Sequence, residues 1–128
     1  MTVASQELAP LFPLGGLRPE TRQYLAREAL EHTVGRGELV FQAGDIDDDT
    51  VYVIRGDVRC DYPDGRRTLH QADSPVHGRY PLNDAVPRRF RATVESRDAR
   101  LLRLNRRQVE KLIARDQISR QPSFRFFD

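Results

Sequence analysis

Two neighbouring stretches decide the fold: Arg36-Gly-Glu-Leu-Val-Phe-Gln-Ala-Gly-Asp45 and Asp49-Thr-Val-Tyr-Val-Ile-Arg-Gly-Asp-Val58. Each holds a short run of β-branched and aromatic residues closed by Gly-Asp, the composition of brief strands joined by tight turns. The pattern continues on both sides. Val34 precedes it, and Val58 and Cys60 follow at a period of two. Pro63-Asp64-Gly65 then makes a hairpin turn between Tyr62 and Arg66, where glycine accepts positive φ. Phe90 to Val94 and Leu101 to Leu104 resume strand patterning after a long loop from Gln71 to Pro87. Short strands with a turn every eight to twelve residues predict a sandwich or barrel.

Helical patterning flanks these strands. Glu7 to Leu14, with Pro10 and Pro13, reads as a brief helix or turn, broken by Gly15-Gly16. Arg18-Pro-Glu-Thr opens a second helix with proline in its first turn. The spacing of Leu17, Tyr24, Leu25, Ala29 and Leu30 carries that helix to about His32. A closing helix spans about Arg106 to Arg115, with Val109, Leu112 and Ile113 on one face. The last residues, 116–128, carry Phe124, Phe126 and Phe127, which either dock on the body or contact a partner.

At 128 residues the chain fits one domain, its core at about 8–115, and 31% charged residues keep it polar without the signature of disorder. No apolar run nears the roughly 18 residues of a membrane span. The amino-terminal MTVASQELAP lacks the basic start and apolar core of a signal peptide. With one cysteine, Cys60, no internal disulfide framework forms. These features predict a cytoplasmic protein.

Net charge is only +2, but it is unevenly distributed. From Glu38 to Asp64 eight acids face only Arg55 and Arg59; from Arg79 to Lys111 nine arginines and one lysine outnumber Asp84, Glu95, Asp98 and Glu110. One half therefore reads as acidic and the other as cationic. Lys111 is the only lysine against twenty arginines, a compositional preference that lowers the weight of any single arginine.

Helix, roll strands, a long central loop and a closing helix, together with the two motifs above, Arg91-Ala-Thr-Val94 and Asp98-Ala-Arg-Leu-Leu-Arg-Leu104, resemble the cyclic-nucleotide-binding domains of catabolite-activator-type regulators and cyclic-nucleotide-regulated kinases. The resemblance implies a mainly β fold with flanking helices, a double-stranded β-helix or jelly roll. It also implies a non-enzymatic regulatory sensor or adaptor. In that family a phosphate-binding cassette, F-G-E-(L/I)-A-L followed by P-R-x-A-(T/S)-V, binds the ligand. A short helix offers N–H groups to the cyclic phosphate, an arginine neutralises it, and the glutamate holds the ribose hydroxyl.

The corresponding stretch here is His77-Gly-Arg-Tyr-Pro-Leu-Asn-Asp-Ala-Val-Pro-Arg-Arg-Phe-Arg-Ala-Thr-Val94. Arg79 replaces the glutamate, Pro81 removes an N–H donor, and two extra residues separate Pro87 from Ala92-Thr93-Val94. The phosphate arginine is therefore Arg88, Arg89 or Arg91, and cyclic AMP is not the expected ligand. The candidate ligand residues are Gly78, Arg79, Tyr80, Leu82, Arg88, Arg89, Arg91 and Thr93. Two readings follow. In one, Arg79, Arg88 and either Arg89 or Arg91 converge on a cavity for another anionic nucleotide, such as a cyclic dinucleotide. In the other the arginines are solvated or paired with acids such as Asp84 and Asp47 to Asp49, and the roll is empty and works by protein contact.

Nothing else carries chemistry. His32, His70 and His77 lack metal-ligand spacing, and Asp45 to Asp49 lacks the twelve-residue calcium loop. Cys60 reads as a strand-interior thiol. No nucleophile elbow or phosphate loop occurs, so no enzyme is expected. Thirteen residues after Arg115 are too few for a helix-turn-helix, so no direct DNA binding is expected. A protein partner is expected, no resident cofactor, and homodimerisation through the closing helix stays open.

Overall fold

The computed structural model describes residues 3–119; the three tail phenylalanines lie outside them. The chain forms two short helices, seven strands and a closing helix: α1 (Ser5–Leu8), α2 (Pro19–Glu28), β1 (Leu30–Gly35), β2 (Leu39–Phe41), β3 (Asp49–Arg55), β4 (Asp57–Asp61), β5 (Arg67–Gln71), β6 (Arg91–Val94), β7 (Asp98–Asn105) and α3 (Arg106–Ser119). The strands make two antiparallel sheets, ordered β1-β7-β3 and β2-β6-β4-β5. This is the mainly β roll with flanking helices that the family resemblance implies.

Strand parity explains why the central runs are apolar at every position. Val51 and Val53 face the space between the sheets, where they meet Val58, Ala92, Val94 and Leu101. Tyr52, Leu102 and Leu104 face the other way, onto Leu8, Leu14, Leu25 and Val109 of the helical layer. β3 and β7 are thus buried on both faces, and alternate residues serve two different cores.

Three expectations need correcting. α2 stops at Glu28, because Ala29 turns to extended backbone. Leu30 to His32 belong to β1, and Leu30 is 61% exposed rather than part of an apolar helical face. α3 continues beyond Arg115 to Ser119. The acidic and cationic halves do not form separate faces either. The roll folds the acids of the β2–β3 loop directly against later arginines: Arg88 with Asp47, Arg103 with Asp49, and Arg106 with Asp48.

α3 is bolted to α2 through one carboxylate. Asp116, 2% exposed, accepts from the Arg18 N–H at 2.8 Å and the Thr21 hydroxyl at 3.2 Å, so it caps the start of α2 from outside that helix. Burial works against its ionisation, but those two hydrogen bonds and the nearby arginines hold its carboxyl below the ordinary value.

Gly56, between β3 and β4, has φ of 91°, and a Cβ there would lie 2.5 Å from the Asp98 carbonyl oxygen. Gly56→Ala therefore combines a left-handed backbone with a collision against β7. We expect it to lower stability by about 2 kcal/mol or more, read as a shifted urea midpoint.

Candidate functional site

The chain between β5 and β6 carries the cassette-like stretch, and its residues go to three different places. Gly78, Arg79 and Tyr80 lie against the amino-terminal segment. The Arg79 carbonyl accepts from the Phe12 N–H at 2.7 Å, and the Tyr80 ring packs on Phe12 at 5.2 Å. Gly78 is confined by backbone: a Cβ would meet the Ala72 carbonyl at 2.1 Å. Arg79 is exposed. Leu82 then turns inward, 1% exposed, with its N–H on the Val51 carbonyl.

Arg88 also turns inward, but onto protein. Its side chain is fully buried and forks Asp47, Nε to Oδ2 at 2.9 Å and Nη2 to Oδ1 at 2.5 Å. The same guanidinium donates to the carbonyls of Asn83 and Asp49 and stacks on the Phe41 ring at 4.2 Å. The Arg88 side chain beside Asp47 holds that carboxyl below its ordinary value. Arg89 and Arg91 are exposed, and Thr93 is nearly buried within β6.

The expected convergence of Arg79, Arg88 and either Arg89 or Arg91 on one cavity is therefore not what the fold produces. Arg79 sits on the amino-terminal side, Arg89 and Arg91 point to solvent, and Arg88 is satisfied by Asp47. Asp84, offered as an arginine partner, instead accepts from the Thr50 hydroxyl. The residues that do meet around a cavity are others. A cavity of about 260 Å³ is lined by Cys60, Tyr62, His70, His77, Leu82 and Phe90, among others, with no acidic, arginine or lysine side chain among the described residues of its wall.

Phe90 is the residue that sequence reasoning missed. Counting back from Ala92-Thr93-Val94 in P-R-x-A-(T/S)-V, the arginine position falls on Phe90, not on any of its arginine neighbours. Phe90 is 2% exposed and packs on Tyr62 at 5.1 Å and on Phe41 at 5.4 Å. Where the family pattern has a cation, this roll has an aromatic cluster. The signal was strand parity: Ala92 faces inward opposite Cys60, so Phe90 faces inward too and Arg91 faces out.

His70 and His77, far apart in sequence, also meet here, their rings 5.5 Å apart and nearly parallel. Burial and the neighbouring His77 push the His70 pKa down to about 4, against the opposing hydrogen bond to the Tyr80 backbone. His70 Nε2 is buried without a hydrogen-bond partner among the described residues. Burial likewise raises the Cys60 thiol to about 11, so it is no nucleophile at neutral pH. Among the described residues no group of three or more His, Cys, Asp or Glu is placed to hold a metal ion.

No protein-family model matches the chain, and a search of curated proteins finds no match. Solved structures do match, at low identity. The regulatory domain of Toxoplasma gondii PKA with cAMP is 15% identical, with a TM-score of 0.69 over 91% of this chain and 47% of that one. The sensor domain of the transcriptional regulator DNR from Pseudomonas aeruginosa is 16% identical, with a TM-score of 0.73 over 88% and 82%. The regulatory subunit of a cAMP-independent protein kinase A from Trypanosoma cruzi, bound to guanosine, is 19% identical, with a TM-score of 0.60 over 85% and 40%. The chain spans about half the length of the Toxoplasma chain and less of the Trypanosoma one. It has the β-roll fold of cyclic-nucleotide-binding domains.

Two measurements check this site. Asp47→Ala strands the buried Arg88 charge and is expected to cost about 3–5 kcal/mol in chemical denaturation, whereas Asp47→Leu combined with Arg88→Met recovers most of that loss. His70 is expected to stay neutral in an NMR titration until pH approaches 4. Its folded-state pKa lies below its ordinary 6.5, so its contribution is intact above 6.5 and is lost as pH falls from there towards 4. His70→Gln is expected to flatten that part of the stability profile.

Proposed function

We propose that this chain is a non-catalytic regulatory domain of the cyclic-nucleotide-binding type whose signal is not cyclic AMP, and whose output is contact with a partner protein. One observation carries the reading: the phosphate-arginine position is the buried aromatic Phe90, while the only buried arginine of the stretch, Arg88, is held by Asp47. A cyclic phosphate entering the cavity would lose its water and meet no arginine or lysine among the described residues of its wall. Arg79 adds to this, since a guanidinium cannot accept from a ribose hydroxyl as the family glutamate does. The cAMP-independent Trypanosoma neighbour supports a β-roll of this kind working without cyclic AMP.

A second reading concerns an uncharged ligand. His70 Nε2, without a partner among the described residues and on a ring kept neutral by burial, is an acceptor in a cavity lined by Tyr62, Phe90 and Leu82 together with Thr68 and Asn83. That chemistry suits a flat heteroaromatic molecule with a donor group, and it does not suit the anionic dinucleotide that a rebuilt arginine pocket would take. The volume of about 260 Å³ lies just under the usual range for small-molecule pockets, about 300–1,000 Å³, so the ligand must be small.

Thermal unfolding with cyclic AMP, cyclic GMP, a cyclic dinucleotide and guanosine tests both readings. No midpoint change is expected with any cyclic nucleotide at millimolar concentration. A cyclic AMP or dinucleotide shift approaching the roughly 2.7 kcal/mol of a ligand at a hundred times its dissociation constant overturns the proposal. A shift with guanosine that His70→Gln removes selects the uncharged ligand, and its absence leaves the roll empty and the protein contact as its work.

A further inference from the structure

The two sheets end on β1, β3, β2 and β5, and the first three of these edges meet other parts of the chain. On β3 the Val51 carbonyl takes the Leu82 N–H, and the Asp49 carbonyl takes Arg88 and Arg106. On β2 the Val40 carbonyl takes Arg103, and on β1 the Glu38 carboxylate holds the Gly35 N–H at 2.6 Å. β5 differs. It closes the order β2-β6-β4-β5, pairs only with β4, and all of its residues but His70 are exposed. Register shows which of its backbone groups are open. At the two ends of the β4–β5 hairpin, Tyr62 donates to the Arg66 carbonyl and Ala72 to the Gly56 carbonyl. Alternation then places the bonded pairs at Cys60 with Thr68 and Val58 with His70. The N–H and C=O groups of Arg67, Leu69 and Gln71 therefore point away from β4. Among the described residues only one of these groups has a partner, the Gln71 carbonyl, which takes the Ser74 N–H in the turn that follows. Neither proline nor a bulge interrupts this edge.

We propose that β5 pairs antiparallel with β5 of a second copy of this chain, about a two-fold axis through Leu69, and so joins the two four-stranded sheets into one. The strand is complementary to itself in that register. With Leu69 opposite Leu69, Arg67 of each copy faces Gln71 of the other, and every outward N–H meets an outward carbonyl. The side chains agree with the backbone. Leu69, 37% exposed, meets its own copy as an apolar pair at the centre. Each Arg67 lies opposite a neutral amide rather than a second arginine. Asp61 holds the Arg67 Nε at 2.7 Å, and the rest of the guanidinium is left to donate to the Gln71 side-chain oxygen. A strand from another protein must supply this pattern by its own sequence, whereas a second copy supplies it by symmetry. Such an interface uses the same patch on both partners, so pairing closes at the dimer.

Size sets the strength. A ladder of 5 residues on each side falls below the roughly 1,200 Å² of a standard stable interface, so the dimer forms only at high protein concentration. The seam also borders the cavity, whose wall includes Thr68 and His70. In the paired register Thr68 of one copy stands opposite His70 of the other.

Sedimentation equilibrium of the full chain from about 10 μM to about 1 mM, with backbone amide exchange followed by NMR over the same range, tests this. The dimer fraction is expected to rise with concentration. Exchange at the Arg67, Leu69 and Gln71 amides is expected to slow several-fold in step with it, while Thr68 and His70, bonded to β4, stay protected throughout. Leu69→Lys sets like charges opposite each other on the axis and is expected to weaken association about tenfold or more. Leu69→Pro removes an N–H that β4 does not use and is expected to act in the same direction. An unchanged unfolding midpoint for Leu69→Lys in dilute solution shows that the roll itself is intact. A chain that stays monomeric at millimolar concentration overturns the proposal and leaves the edge to a strand of another protein. A dimer that leaves exchange at Leu69 and Gln71 unchanged, or that survives both substitutions, also overturns it.

Discussion

The Arg88–Asp47 ion pair is the constraint on which the rest of the structure leans. It joins the loop after β2 to the chain entering β6, and backbone bonds between Gly44, Asp45 and Arg88 run alongside it. Asp47 and Asp49 extend the network: their carbonyls take Arg106, and the Asp49 carboxylate takes Arg103. One acidic loop thereby gathers β6, β7 and the start of α3. A fully buried guanidinium tolerates this place only because two carboxylate oxygens, two carbonyls and an aromatic face receive it.

That constraint also governs what the roll can bind. An arginine committed to a loop carboxylate is not available to a ligand, and the inward position beside it is filled by Phe90. Among the described residues the wall facing the cavity holds no arginine or lysine, carries the Tyr62 and Phe90 rings, and can accept a hydrogen bond at His70. Outside the roll the situation is reversed. Arg79 is exposed, its side chain donates to no group among the described residues, and it lies near the Phe12–Tyr80 ring pair.

Much of the architecture was legible in the chain. The apolar runs Val51 to Ile54 and Leu101 to Leu104, and the turns at Gly56 and Gly65, report local preferences that the tertiary fold does not override. Where the reading failed, two local signals competed. Leu30 continued a helical period, but Ala29 leaves the helix and β7 claims the next six residues. The charge halves were real as sequence and vanished as surface, because strands distant in sequence bring opposite charges into contact.

The cassette shows the boundary between the two kinds of information. Sequence alone determined that no glutamate stands at position 79, that Pro81 offers no N–H, and that several arginines crowd the approach to Ala92. It also determined the strand periods, since side-chain alternation is a property of the backbone itself. Only the tertiary structure decided which of those arginines is buried, that its partner is Asp47, that Phe90 holds the inward position, and that His70 meets His77. The reason is physical. Alternation says that neighbours face opposite ways, but which way is inside depends on how β6 pairs with β4, and a charge finds its partner through space rather than along the chain.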